Sequence, residues 1–275
     1  MTENYSVLMS VYYKEKPEHL RESMYSIYNQ TIPTDDFVLI CDGPLNEGLD
    51  AVIKEMITKF GHRLHVERLK QNSGLGNALN IGIRCCKNEL VARMDSDDIS
   101  RPERCEKQLS FFVNNPEISL LSGTVCEFSV DKTRPIGMRK LPLNNSDIIK
   151  FSKKRNPMNH PCVMFKKSAV IAAGGYLESY HLFEDYYLWV RMFLCGFKAR
   201  NMSDVLLDMR TPPDLYIRRG GVNYIKSMLA FHKWMLNSEW SSMWDFLSGT
   251  LPHVVVCILP NCIRKKVYKI LRNNP

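Results

Sequence analysis

No segment of this chain is apolar for long enough to cross a bilayer. The most hydrophobic late stretch, LPHVVVCILP (251–260), is broken by Pro252 and Pro260 and falls short of the ~20 residues a spanning helix needs. The opening MTENYSVLMS carries no basic segment followed by an apolar core, so an export signal is not expected. Nine cysteines are scattered without one C-x-x-C pair, and Cys85 and Cys86 are adjacent, which suits neither a disulfide framework nor a zinc knuckle. Reduced, mostly buried thiols in a cytoplasmic setting are expected. Internal repeats and low-complexity tracts are also missing, and no acid follows Asp245.

What remains is an ordinary globular composition: 275 residues, 45% hydrophobic and 24% charged. Lys and Arg exceed Asp and Glu by 37 to 29, a net +8 that suits an anionic partner such as a nucleotide, a nucleic acid or an acidic lipid surface. Much of the excess is terminal, in Arg264, Lys265, Lys266, Lys269 and Arg272.

The first 130 residues alternate strand and helix patterns. Strands are predicted at 5–13, 36–43, 63–69, 89–94 and 118–128, and helices at 17–30, 49–61 and 74–87. Ser100-x-x-Glu103, with Pro102 between, predicts a capping box opening a helix that runs to about Asn114. Such alternation implies an α/β fold with a parallel sheet covered by helices on both faces. Ligands then sit beyond the carboxyl ends of the strands. Beyond 130 the pattern is less regular. Residues 130–147 read as loop, 156–176 as loop, strand and short helix, 183–197 as a helix ended by Gly196, and 222–273 as mostly helical.

ARMDSDDISRPE (92–103) collects Asp95, Asp97 and Asp98 where a buried strand should end. Aspartates two apart at such a point can share a hard cation, Mg²⁺ or Mn²⁺; an Asp-rich turn capping the next helix is the alternative. Glu184-Asp185 opens a helix, either as a general base in a partly apolar pocket or as acids placed favourably at a helix N-terminus. NSGLGNALN (72–80) departs from the dinucleotide fingerprint at Leu79. His160 is either a ligand or a core histidine. Arg218-Arg219 suits a diphosphate or a solvated loop. The C-terminal segment alternates apolar and basic residues, which fits an interfacial helix on anionic lipid or a helix docked with a solvated basic face.

Taken in order, SVLMSVYYKE, Asp42 ending the second strand, QNSGLGNALNIGI, ARMDSDDISRPERCEKQ, HPCVMFKKSAVIAAGGY, EDYYLWVRM and RRGG resemble the family-2 inverting glycosyltransferases of the GT-A fold, over about residues 5–220. The overall look is that of bacterial enzymes building O-antigen, capsule or exopolysaccharide repeat units. The resemblance implies a GT-A domain, Rossmann-like with a mostly parallel sheet. Its nucleotide-sugar-binding half would span 1–130 and its acceptor-binding half 131–221, followed by a basic helical tail over 222–275 that would lie on the membrane or pack on the domain. It implies that Tyr12, Glu15 and Asp42 line the nucleobase and ribose pocket, with Asn72, Asn77 and Arg93 bordering the nucleotide. Asp95 would face the ribose or the metal, Asp97 would coordinate Mn²⁺ or Mg²⁺, and Asp185 would be the catalytic base. Arg218 or Arg219 would steady the diphosphate. His160, Glu184 and Trp189 are acceptor-side candidates. One departure is YYKEKP, where many relatives carry an Asn, which bears on the contact of Glu15.

The implied reaction moves a hexose (galactose, glucose or N-acetylhexosamine) from a UDP-sugar to a glycan acceptor. An undecaprenyl-diphosphate-linked acceptor and a β-linked product are expected, with the enzyme peripheral on the inner face of the cytoplasmic membrane. Two rivals stand beside this. A haloacid-dehalogenase-like phosphatase also uses D-x-D, but after its first strand, whereas here three βα units come first. A basic nucleic-acid-binding protein fits the net charge but lacks an aromatic-basic recognition motif, so no nucleic-acid partner is expected.

Overall fold

The computed structural model describes residues 4–211 and 221–259. Strand β2 (Asp36–Cys41) is buried along its whole length and β1 (Tyr5–Val11) nearly so, as near-continuous apolar runs demand when helices cover both faces. Along β1 the side chains alternate. Tyr5, Val7, Met9 and Val11 enter one core with α1 (Pro17–Tyr28) and α2 (Glu47–Phe60), while Leu8 enters a second core with α3 (Leu75–Cys85). Helix α2 starts because the Asn46 side chain accepts the Leu49 N–H at 3.0 Å, and Gly61 ends it at a φ of +58°. Strands β3 (Leu64–Arg68) and β4 (Leu90–Asp95) complete the expected series.

A close approach holds α3 on the sheet. A Cβ at Gly82 would lie 2.2 Å from Leu8 Cδ1 and 3.0 Å from Ile40 Cγ1, both fully buried. Gly82→Ala is therefore expected to cost about 1–3 kcal/mol through overpacking, read as a lowered urea midpoint. An unchanged midpoint would show that Leu8 can swing aside.

The sheet is mixed rather than parallel throughout. Its order is β3-β2-β1-β4-β8-β6-β9-β5, with β7 (Pro135–Arg139) hydrogen-bonded to β6 (Ile118–Phe128). Strand β1 pairs in parallel with β2 and β4, and β2 with β3. Strand β8 (Met164–Lys166) is antiparallel to both β4 and β6, so it separates two strands that point the same way. Strand β9 (Lys198–Arg210) runs parallel to β6, and β5 (Ile99–Ser100) antiparallel to β9.

Three local expectations need correction. Ser100 is not a cap: Ile99 and Ser100 pair with Asp208 and Leu207, so their backbone belongs to the sheet. Helix α4 (Arg104–Asn114) begins later, with Glu103 at its N-cap and no side-chain cap bond. Residues 130–147 are not all loop, since they hold β7 and the start of α5 (Asn145–Ser152). Pro252 does not end the apolar stretch. After α6 (Lys167–Ala172), α7 (Glu184–Leu194) and α8 (Val222–Asn237), helix α9 (Met243–Ile258) runs through it. Proline has no N–H to give the Ser248 carbonyl, so the helix forgoes that bond there.

Candidate active site: an acidic cleft at the β1–β4 switch

Strands β2 and β3 lie on one side of β1 and β4 on the other, so the loops after β1 and β4 diverge. That divergence leaves a crevice at the carboxyl ends of the strands. A cleft of about 810 Å³ opens there, lined by Tyr12, Glu15, Asp42, Asn72, Asp95 and Asp97 among others. Six of the expected site residues, from four different loops, thus meet on one rim.

The loops are tied to one another by the same side chains. Asp42 Oδ1 accepts from the Ser73 N–H (2.7 Å) and hydroxyl (3.1 Å), while Asn72 Nδ2 donates to the Asp42 carbonyl (3.2 Å). Gly43 makes this approach possible: its φ is +89°, and a Cβ would lie 2.6 Å from Asn72 N. Glu15 Oε1 accepts the Lys16 N–H (2.8 Å) and meets His19 Nδ1 (3.2 Å); its Oε2 accepts from the Ser96 hydroxyl (3.2 Å). The β1 loop is thereby fastened to the aspartate loop.

Carboxylate oxygens of Asp95, Asp97 and Asp98 all lie within 4.8 Å of one another. Burial first, then Asp95 and Glu15, push the Asp97 carboxyl up to about 7. Burial, then Asp97 and Asp95, push Asp98 well above the carboxylate range. Two arginines offset part of the repulsion. Arg93 pairs with Asp95. Arg210, at the end of β9, donates its backbone N–H to Asp98 Oδ1 (2.7 Å), its Nε to the Asp97 carbonyl (3.0 Å) and its Nη2 to Glu22 (2.6 Å). Asp98 is 1% exposed and spends an oxygen on that backbone bond, which makes it a structural acid under the loop. Asp95 and Asp97 face the cleft. Hard oxygen donors that burial and like charge have left proton-hungry fit Mg²⁺ or Mn²⁺.

Arg93 does not border the cleft. It is 1% exposed beneath Asp95, and its Nε and Nη1 find no hydrogen-bond partner among the described residues. Burial opposes its charge, but Asp95 outweighs that and holds the guanidinium above its ordinary value. Asn77 sits on the exposed side of α3, away from the cleft lining. Sequence reasoning missed Arg210, Ser96 and His19, which line the cleft or brace it. Arg218 and Arg219 lie outside the described residues.

Asp185 stands in the first turn of α7, partly buried, and its Oδ2 accepts from Asn156 Nδ2 at 2.7 Å. Burial raises its carboxyl, opposed by Asn156, the Tyr186 N–H, Arg139 and Arg93. Arg93 and Tyr176 lie within electrostatic reach of both Asp95 and Asp185, which connects the cluster to this second carboxylate. Glu184 Oε1 accepts the Leu182 N–H of its own loop (3.0 Å). His160 meets the Tyr176 hydroxyl (2.9 Å) and packs edge-on against Trp189. Burial, then Arg93, hold His160 well below the ordinary histidine range, so its ring is neutral. Trp189 is fully buried in the core shared with α3 and β8. It supports the site from behind and offers no surface to an acceptor.

A parallel four-strand unit with an acid cluster at its switch point is the arrangement expected of a GT-A fold. Among solved structures, the chain is similar to the mannosyltransferase PcManGT of Pyrobaculum calidifontis in complex with GDP-Man and Mn²⁺ (TM-score 0.66, 15% identity, 98% of this chain and 81% of that one). It is similar to residues 1–349 of S. aureus TarS in complex with UDP-GlcNAc (TM-score 0.65, 14% identity, 96% and 70%), and it spans 42% of the longer TarS chain. At these identities the likeness speaks for the fold. The sequence itself goes further, because the glycosyl transferase family 2 model matches residues 6–172, and the chain belongs to that family. The chain is 42% identical over 250 residues to the amylovoran biosynthesis glycosyltransferase AmsE of Erwinia amylovora (90% of each chain). To the UDP-Gal:alpha-D-GlcNAc-diphosphoundecaprenol beta-1,3-galactosyltransferase of Escherichia coli it is 37% identical over 270 residues (98% and 96%). It is a glycosyltransferase, and the phosphatase and nucleic-acid-binding readings fall.

Proposed function

We propose that this enzyme transfers a hexose from a UDP-sugar to an undecaprenyl-diphosphate-linked glycan, with inversion, forming a β-glycosidic bond in surface-polysaccharide assembly. The observation that carries the reading is the carboxylate cluster at the mouth of the switch crevice, where a nucleoside diphosphate would lie. The Escherichia coli relative, matched almost end to end, supports the donor and acceptor class and puts UDP-galactose first, ahead of UDP-glucose and the UDP-N-acetylhexosamines.

In this reading Tyr12, Glu15 and Asp42 hold the nucleoside, and Asn72 braces the Asp42 loop. Asp95 and Asp97 would hold Mn²⁺ or Mg²⁺, which when bound would supply positive charge against the donor diphosphate. Arg93 pairs with Asp95 from beneath and aims it at the cleft. Asp185, steadied by Asn156, takes the proton from the acceptor hydroxyl as that oxygen attacks the anomeric carbon, so no covalent glycosyl-enzyme is needed. Arg218 and Arg219 are proposed to meet the leaving diphosphate. The enzyme would work peripherally at the inner face of the cytoplasmic membrane. Among the described residues no helix is long and apolar enough to cross it.

A panel of nucleotide-sugars, each assayed with lipid-linked acceptor in Mn²⁺ or in EDTA, tests this. Acceptor-dependent UDP release from one sugar, lost in EDTA, is the expected result. Equal release in EDTA would remove the metal from the scheme, and silence across the UDP-sugars would remove the donor assignment.

A further inference from the structure

Helix α9 is built inside out for a helix docked on a soluble body. Its inner side holds Thr250 and Cys257, both buried, and Gly249 comes close to Lys154. Trp244, Leu247, Leu251, Val255 and Ile258 all point outward, with exposures of 73, 38, 55, 60 and 69%. At about 100° per residue their spacings of three, four, four and three fall in one arc of about 80°. The only Asp, Glu, Lys or Arg in the helix, Asp245, is turned to Lys154 (3.4 Å) and to the Ser242 cap. A solvated face would carry charge here, and a contiguous apolar stripe of this kind marks a contact surface.

We infer that this stripe is a membrane seat, laid flat in the headgroup region of an anionic bilayer. Two observations select lipid. The sequence shortly after the helix carries Arg264, Lys265, Lys266, Lys269 and Arg272, and no carboxylate side chain follows Asp245 to offset them locally. A basic segment adjoining an apolar helical face, with a tryptophan at one end, is the chemistry that anionic headgroups over acyl chains recognise. The second observation is length. Sixteen residues reach about 24 Å along the axis, which suits lying in the interface and falls short of a span.

The seat is also fastened to the proposed chemistry. Helix α9 packs on α8, whose Phe231 and Trp234 pack against Tyr186 and Tyr187 of α7 at ring distances of 4.7 and 4.6 Å. Helix α7 opens with Glu184 and Asp185. Seating α9 in the bilayer therefore holds the Asp185 end of the molecule near the membrane, where a lipid-linked sugar can reach it without leaving its anchor. This last step rests on the acceptor class proposed above.

Vesicle co-sedimentation separates the outcomes. Wild type should bind phosphatidylcholine vesicles containing one-quarter phosphatidylglycerol, with Trp emission quenched by brominated acyl chains. Leu251→Ser/Val255→Ser should weaken binding by about 10–100-fold, and Trp244→Phe should lose most of the quenching. Both variants alter exposed positions, so thermal midpoints and UDP binding should match wild type. Transfer to a short-chain, water-soluble diphosphate-linked acceptor should be unchanged in the double variant, while the apparent KM for undecaprenyl acceptor in vesicles rises. Wild-type-like vesicle binding by the double variant would overturn the seat. So would light scattering showing a wild-type dimer that these substitutions split without any lipid effect, because a second copy would then cover the stripe. Failure of transfer to both acceptors by the wild type, with vesicle binding intact, would instead refute the acceptor class and leave the seat standing.

Discussion

Asp185→Asn is expected to lower the turnover number by about 10²–10⁴-fold while UDP binding to the cleft stays within a factor of about two. The substitution is nearly isosteric and removes only the basicity. Asp185 is not among the residues lining the cleft proposed to take the nucleotide, so loss of nucleotide affinity would point to misfolding rather than to a lost base. The hydrogen bond from Asn156 supplies an independent check. That bond favours the ionised carboxylate, so its removal raises the Asp185 pKa further. Activity that needs the ionised base rises with pH through that pKa, and Asn156→Ala should therefore move the acid limb of the kcat/KM profile to higher pH. Loss of a merely structural contact would lower the whole profile without moving the limb. Turnover of Asp185→Asn within about threefold of wild type would transfer the role to another group, with Glu184 the nearest carboxylate in the chain.

Much of the first 130 residues is legible in the sequence because its contacts are local in order. Strands β1, β2 and β4 are buried runs, β3 is a half-exposed edge strand, amphipathic helices separate them, and each strand falls within about two residues of its expected ends. Asp95, Asp97 and Asp98 stand out because uncompensated acids at a buried strand end require an explanation. The remainder depends on contacts that no local pattern carries. Strand β9 pairs with β6 across register shifts near Gly123 and Thr124, which break the period-two alternation. Arg210 reaches Asp98 through its backbone from more than a hundred positions away. Trp189 misleads for a different reason: α7 is buried on two sides, with Leu188, Trp189 and Met192 in one core and Tyr186 and Val190 in another. Its phase in the sequence therefore does not reveal which side an acceptor could meet.

Asp97→Asn should abolish detectable transfer and yet raise the thermal midpoint of the metal-free protein at pH 8. Burial, Asp95 and Glu15 lift this carboxyl from 3.8 to about 7 in the folded chain. The folded state therefore binds its proton more tightly than the unfolded state does. Stability linked to this group is greatest below the unfolded value near 4 and falls as pH rises towards 7. Above that, the ionised side chain costs the metal-free fold about 2–4 kcal/mol, allowing for its partial exposure. An amide removes that cost at pH 8 and changes little at pH 4, so the two proteins should diverge as pH rises. Mn²⁺ should reverse the order, raising the wild-type midpoint at pH 8 much more than at pH 5 and leaving the variant nearly unmoved. Calorimetry across this pH range with and without Mn²⁺ reads both effects. A metal-free variant less stable than wild type at pH 8 would mean that Arg210 and the loop backbone already compensate the charge, and that the cluster is not held open for a cation.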